Sequence, residues 1–399
     1  MSLQSFLFLI LFSQFSFAQA PKDFSQLTLV GYQAWFGTPN DQVHKRWNHW
    51  GLPERITFEL YPDMREYAKE DVYSTGLGKL PNGQDSVLFS SVRDGVMSTH
   101  FRWMSEYGID GVALQRFANE LSMNPLHFRN VAAQKVKTHA EKWKRYFYLT
   151  YDLSGANPKT LVDDIQRDWV NLEARLRLTA SSYYVKSGGK PVIGLWGFGF
   201  EDRPVQPHQA LQLIQFFRQK GFAVLGGAPW WWRKITAWHQ VYFSVQILQP
   251  WAVGSYRNER DLQSMHDTIY WEDIRLLKQH GVQYQRVIFP GFAWSNWNGG
   301  EKNMIPRSAG RFMWNQALEV KSLGVSSMIA MFDEYDEGTA IAKAAENKSF
   351  LPVGKYFLTL AEDGQDMSSD FYLRLSGMIT KLFRGEIKPQ PTVPVPLRP

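Results

Sequence analysis

The chain has no cysteine. That excludes disulfides, thiolate metal sites, a cysteine nucleophile and a lipid anchor through cysteine. It also lacks an arginine-rich arm and any basic–aromatic repeat. The net charge of +6 comes from 44 scattered Lys and Arg set against 38 Asp and Glu, a distribution that argues against nucleic acid as a partner. A glycine-rich nucleotide loop is missing after the first apolar run. Tyr32-Gln33-Ala34-Trp35 stands there instead, and these side chains keep a phosphate from close backbone approach. No stretch reaches membrane-spanning length. The one long apolar run, 6–17, is too short to span and leads into Ala18-Gln19-Ala20, a small-x-small cleavage signal. Residues 1–20 therefore read as a signal peptide, although no Lys or Arg precedes the run, and imply an exported, periplasmic or secreted protein.

Aromatic residues are abundant. They make up 15% of the 399 residues, with 16 tryptophans among them, more than a core of this size needs and enough for flat stacking surfaces. Short apolar runs alternate with segments of helical period, and Gly closes several of the latter. Strands are expected at 27–32, 109–117, 146–152, 191–198, 223–225, 245–248, 286–290 and 328–332. Helices are expected at 96–107, 125–143, 158–178, 207–220, 264–280 and 308–323. Strands that are apolar on both faces and separated by helices belong to a parallel sheet. About eight such units predict an α/β fold, a (β/α)8 TIM-type barrel. It forms a single domain over 21–385, with a long irregular N-terminal loop region reaching residue 67. A final amphipathic helix at 369–384 closes it, and the proline-rich segment 386–399 is expected to be a disordered tail.

In such a barrel the C-terminal ends of all strands gather on one face, where the active site lies. Those ends and the N-terminal loop supply Tyr32, Trp35, Trp50, Tyr61, Gln115, Arg116, Asp152, Trp196, Trp231, Trp251 and Trp294. Indole faces stack on sugar rings, and amides and carboxylates bind hydroxyls. The expected partner is thus an oligosaccharide or polysaccharide bound by a monomer, with no cofactor. His44, His49 and Asp63 have no metal-ligand spacing, and no metal site is assigned.

The last strand end stands apart. After Met328–Phe332 the chain turns acidic at once: Asp333, Glu334, Tyr335, Asp336, Glu337, then Gly338. Four carboxylates beyond a buried strand repel one another and resist desolvation. Glycoside hydrolysis requires two such groups, one to protonate the leaving oxygen and one to activate or supply a nucleophile. Glu334 and Glu337 lie three apart and Asp333 and Asp336 form an interleaved pair. Geometry leaves either pair open, and the longer reach of Glu favours the first. A calcium site on Asp333 and Asp336 is a further reading, and a non-catalytic glycan-binding barrel another.

Phe332-Asp333-Glu334-Tyr335-Asp336-Glu337-Gly338-Thr339 resembles the FNEWHEGT-type motif of glycoside hydrolase family 99, the endo-acting α-mannosidases and α-mannanases. The aromatic first strand end, Trp47-Asn48-His49-Trp50 and Tyr61-Pro62-Asp63 are similar too, which places the chain in the family 71/99-like set of secreted bacterial proteins. The resemblance implies a retaining reaction through a 1,2-anhydro sugar. Glu334 would act as base on the sugar 2-hydroxyl and Glu337 as acid and then base; Asp333 and Tyr335, within the same turn, are taken as substrate-binding candidates. Asp333 replaces the motif's Asn and Asp336 its His, so the turn is more acidic here.

Overall fold

The computed structural model describes residues 22–124 and 126–399, so the expected signal peptide at 1–20 lies outside the described residues. Eight parallel strands close into a barrel. They are β1 (Leu29–Tyr32), β2 (Gly111–Phe117), β3 (Tyr146–Asp152), β4 (Lys190–Trp196), β5 (Ala223–Pro229), β6 (Ile247–Trp251), β7 (Gln283–Ile288) and β8 (Ser326–Ile329). Closure is made by β1 pairing in parallel with β8, Leu29 opposite Met328 and Val30 opposite Ile329, while its other edge pairs with β2. The intervening helices are α1 (Asp94–Tyr107), α2 (Phe128–Trp143), α3 (Leu161–Leu176), α4 (Pro207–Gln219), α5 (His239–Ser244), α6 (Glu259–Met265), α7 (Trp271–Gln279) and α8 (Arg311–Leu323), with α9 (Phe371–Arg384) after the barrel. This is the (β/α)8 architecture that the alternation implies.

The strands bury both faces, which is why they read as apolar runs and not as alternations. β5 runs past its expected end through Gly226 and Gly227, because the sheet comes very close to β4 there. A Cβ on Gly227 would lie 2.1 Å from a ring carbon of Trp196. The helix expected at 264–280 begins earlier, where the Asn258 side chain accepts from the Asp261 amide at 2.9 Å. It continues from α6 through a π-turn at His266–Tyr270 into α7. An antiparallel hairpin, Val72–Lys79 with Asp85–Phe89, was not foreseen in the segment before α1. Its outward side chains are mostly polar, so it carries little apolar period.

The tail expectation is corrected. Residues 386–399 are packed on the barrel, with Ile387, Val393, Val395 and Leu397 against the core. The indole of Trp314 donates to the Gln390 carbonyl at 2.8 Å, and the Ser368 amide donates to the Leu397 carbonyl at 3.0 Å. Arg398 donates to Glu346 at 2.9 Å. Proline lowers the entropy of the free segment, so a few such contacts hold it in place. Among the described residues no helix is long and apolar enough to cross a membrane.

Candidate active site

The acidic turn follows β8 at the C-terminal mouth of the barrel. Backbone bonds set its path. The Ala330 amide donates to Ile288 at 2.8 Å and the Phe332 amide to Gly31 at 2.7 Å, extending the sheet by one step on each side. The Glu334 carbonyl accepts from the amides of Thr339 at 3.2 Å and Ala340 at 3.0 Å, which closes the turn. Gly338 sits at φ +64°, and a Cβ there would press on the Ala293 backbone at 3.2 Å. The Arg307 guanidinium fastens the far side by donating to the carbonyls of Gly338 at 2.9 Å and Ala340 at 2.7 Å.

The four carboxyls then take different roles. Asp333 is fully buried, and its two oxygens accept from the backbone amides of Gln33 at 2.8 Å and Ala34 at 2.9 Å. It ties β8 to β1, each oxygen already taking a backbone donor. Glu334, also buried, accepts from the Gln33 side-chain amide at 2.7 Å, while its second oxygen has no partner among the described residues. Asp336 lies 3.1 Å from His49 Nδ1, and its other oxygen is likewise unpartnered. Glu337 is the most open of the four. No Lys or Arg pairs with Glu334, Asp336 or Glu337 among the described residues, whose only ion-pair-range contact is the one to His49.

Burial without a cation sets the protonation. Desolvation, then repulsion from Asp336, pushes the Glu337 carboxyl up to about 7. Glu334 is raised by burial, then by Asp336 and Glu337, and the Gln33 amide is the contact that favours its charged form. Burial also raises Asp336. Asp333 is raised to about 7 by desolvation, against the pull of its two amide donors.

Of the other expected residues, Trp35, Gln115, Asp152, Trp196, Trp231, Trp251 and Trp294 stand at or just beyond strand ends on this face. Trp35 lies flat on the His49 ring, centroids 3.7 Å apart and 7° from parallel. Across the mouth Trp196 meets Trp251 edge to face at 5.4 Å and Phe200 at 4.7 Å, and Trp231 lies beyond, 38% exposed. The indole nitrogens of Trp35 and Trp196 are buried without a partner among the described residues. Asp152 is turned onto its own loop, where it accepts from the Ser154 amide at 2.8 Å.

Five expectations are corrected. Tyr32, Trp50, Tyr61, Arg116 and Tyr335 are buried in the framework with their polar groups bonded there, Arg116 through Nε and Nη2 with Nη1 left unpartnered among the described residues. The Tyr32 hydroxyl bonds to His100 at 2.8 Å, the Trp50 indole donates to Phe89 at 3.0 Å, and the Tyr61 hydroxyl donates to Val87 at 2.9 Å. Tyr335 donates to the Lys343 carbonyl at 3.3 Å. Arg116 forms a fork on Asp168 at 2.7 and 2.5 Å and reaches Asn130 at 2.6 Å. A group so committed cannot turn to a ligand without leaving a buried partner unpaired.

Two residues absent from the expected set join the site, Gln33 and His49. Gln33 was legible in principle. Once β1 is known to pair with β8, the residue after β1 must face the residues after β8. His49 was read as a weak metal candidate. The structure separates that trio: His44 pairs with Asp41 at 3.1 Å, His49 with Asp336 at 3.1 Å and Asp63 with Arg65 at 2.7 Å. Among the described residues no group of three or more His, Asp or Glu is arranged to hold a metal ion.

No family model and no curated protein sequence matches the chain. Solved structures match in fold. The family 99 glycoside hydrolase endo-α-mannosidase of Bacteroides thetaiotaomicron superposes with a TM-score of 0.64 over 90% of this chain and 98% of that one, at 15% identity. A glycoside hydrolase-like protein gives 0.56 over 91% and 96%, at 14% identity. The chain therefore shares the whole barrel of these proteins, not a fragment of it.

Proposed function

We propose that the chain is an exported glycoside hydrolase that cleaves an α-linked glycan with retention, in the manner of an endo-α-mannanase. One observation carries the reading. Glu334, buried, and Glu337, half-buried, share a turn with no Lys or Arg paired to either among the described residues, at the end of the barrel that carries the indoles of Trp35, Trp196 and Trp251. Acids kept this way lose stability and gain reactivity. The fold shared with an endo-α-mannosidase supports the same assignment.

In the proposed reaction Glu334 takes the proton of the sugar 2-hydroxyl, and that oxygen attacks the anomeric carbon. The glycosidic bond breaks as Glu337 gives its proton to the leaving oxygen, a proton that its raised pKa keeps in place near neutrality. Water then opens the 1,2-anhydro sugar. Glu337 takes the water proton, and Glu334 returns its own to the 2-oxygen. Two inversions leave net retention.

The test is release of reducing ends from yeast mannan and a panel of other α-glycans by the wild type, Glu334→Gln and Glu337→Gln. Cleavage by the wild type and loss in both variants is expected. Full rates in both variants, or no cleavage by the wild type, would sink the assignment.

A further inference from the structure

Three carboxyls of the turn, Glu334, Asp336 and Glu337, occupy one desolvated region with no Lys or Arg bonded to any of them among the described residues. Carboxylates so placed cannot all ionise, and at least one must carry a proton. Their contacts differ in kind. Glu334 meets an N–H, the Gln33 amide at 2.7 Å, and an N–H donor favours a carboxylate. Asp336 meets a ring nitrogen, His49 Nδ1 at 3.1 Å, which accepts a hydrogen bond when the imidazole is neutral.

We propose that Asp336 is a proton-bearing positioning residue: as a neutral carboxylic acid it donates to Nδ1 of a neutral His49, so that Asp336 adds no negative charge beside Glu334 and the proton held on Glu337.

The surroundings of the pair favour this over an ion pair. His49 is stacked on Trp35 at 3.7 Å, with Phe36 edge-on at 6.2 Å. The Arg129 guanidinium stands 6.0 Å from the Trp35 ring and opposes a second cation there, although Glu120, bonded to that arginine, offsets part of the effect. Burial, then Arg129, lowers the His49 ring to about 3, with His44 acting in the same direction. On the turn itself a charge on Asp336 would repel Asp333, Glu334 and Glu337, which disfavours another negative charge there. Both partners are thus pushed toward their uncharged forms, and the hydrogen bond between them persists.

Nitrogen-15 NMR of histidine-labelled wild type tests the assignment without a substrate. His49 is expected to show an acceptor Nδ1 and a protonated Nε2, with no imidazolium form at about pH 6, near the ordinary titration midpoint of His. An imidazolium signal at that pH would overturn it. Infrared difference spectra at neutral pH should show a protonated-carboxyl C=O band in the wild type that Asp336→Asn removes. Identical spectra would overturn it as well. The kinetic arm rests on the hydrolase reading. Asp336→Ala should lose rate that the isosteric, neutral Asp336→Asn recovers in large part, and equal loss in both would count against the proposal. No cleavage of any glycan by the wild type together with the expected spectra would remove the hydrolase reading and leave the Asp336 assignment standing.

Discussion

The molecule buries acids in two ways. Behind β2, Asp168 receives the Arg116 fork and the Tyr151 hydroxyl at 2.7 Å. Beneath the C-terminal strap, Arg65 joins Asp63 at 2.7 Å to Glu346 at 2.5 Å, and Arg398 completes the set. At the β8 turn, Glu334, Asp336 and Glu337 have an amide and an imidazole between them. Paired acids hold segments in place, because removing either partner strands a charge. Unpaired acids hold protons. The difference separates framework from site more sharply than burial does, since Asp168 and Glu346 are buried and so are Glu334 and Asp336.

Four measurements would break or sharpen this contrast. The largest effect falls on chemistry: Glu334→Gln and Glu337→Gln should each lower kcat on a cleaved glycan by about 10²- to 10⁴-fold, the usual worth of a positioned acid or base. Both should keep their near-ultraviolet dichroism. Next, Asp168→Ala should destabilise the fold by about 3–5 kcal/mol in chemical denaturation, because it leaves Arg116 uncompensated. A loss near zero would show that the paired set is not structural.

The third is a pH effect of opposite sense to the usual carboxylate. Glu337 holds a proton in the folded state up to about 7 that the unfolded chain releases near 4.5. Its favourable contribution is complete below the unfolded value and is lost as pH rises toward 7. Glu337→Gln should therefore gain stability on the wild type across that interval, reaching about 3 kcal/mol above it. His49, lowered to about 3, works the other way, its contribution growing as pH climbs from 3 toward its ordinary 6.5. Comparing the variant with the wild type removes this term, and parallel stability curves would contradict the assignment. The smallest effect is expected at the strap. Deleting residues 386–399 should lower Tm by a few degrees, read by calorimetry, without changing the pH dependence of the site.

The barrel was legible because its strands are buried on both faces and its helices end at glycines such as Gly108 and Gly324, both left-handed in the structure. The acid turn was legible as a break in hydropathy at Asp333. Other features depend on partners distant in sequence. Arg116 and Asp152 lie at strand ends like site residues, but Asp168 and Ser154 claim them. Tyr32 and Trp50 look like stacking surfaces until His100 and Phe89 take their polar atoms. The strap looked disordered because its composition is that of a linker, while its order comes from Glu346, Asp366 and Trp314 on the body of the barrel. A local reading finds which residue types could act. Which of them are free to act is decided by tertiary pairing.

The bonds from Gln33 and Ala34 to the acid turn join residues 299 to 301 positions apart. Closing so long a loop comes late in folding, since its entropy is not offset until the intervening units are in place. A nascent chain, or one cut before Asp333, holds the indoles of the rim without any acid of the turn. The reaction proposed for Glu334 and Glu337 would thus begin only once β8 has closed the barrel on β1.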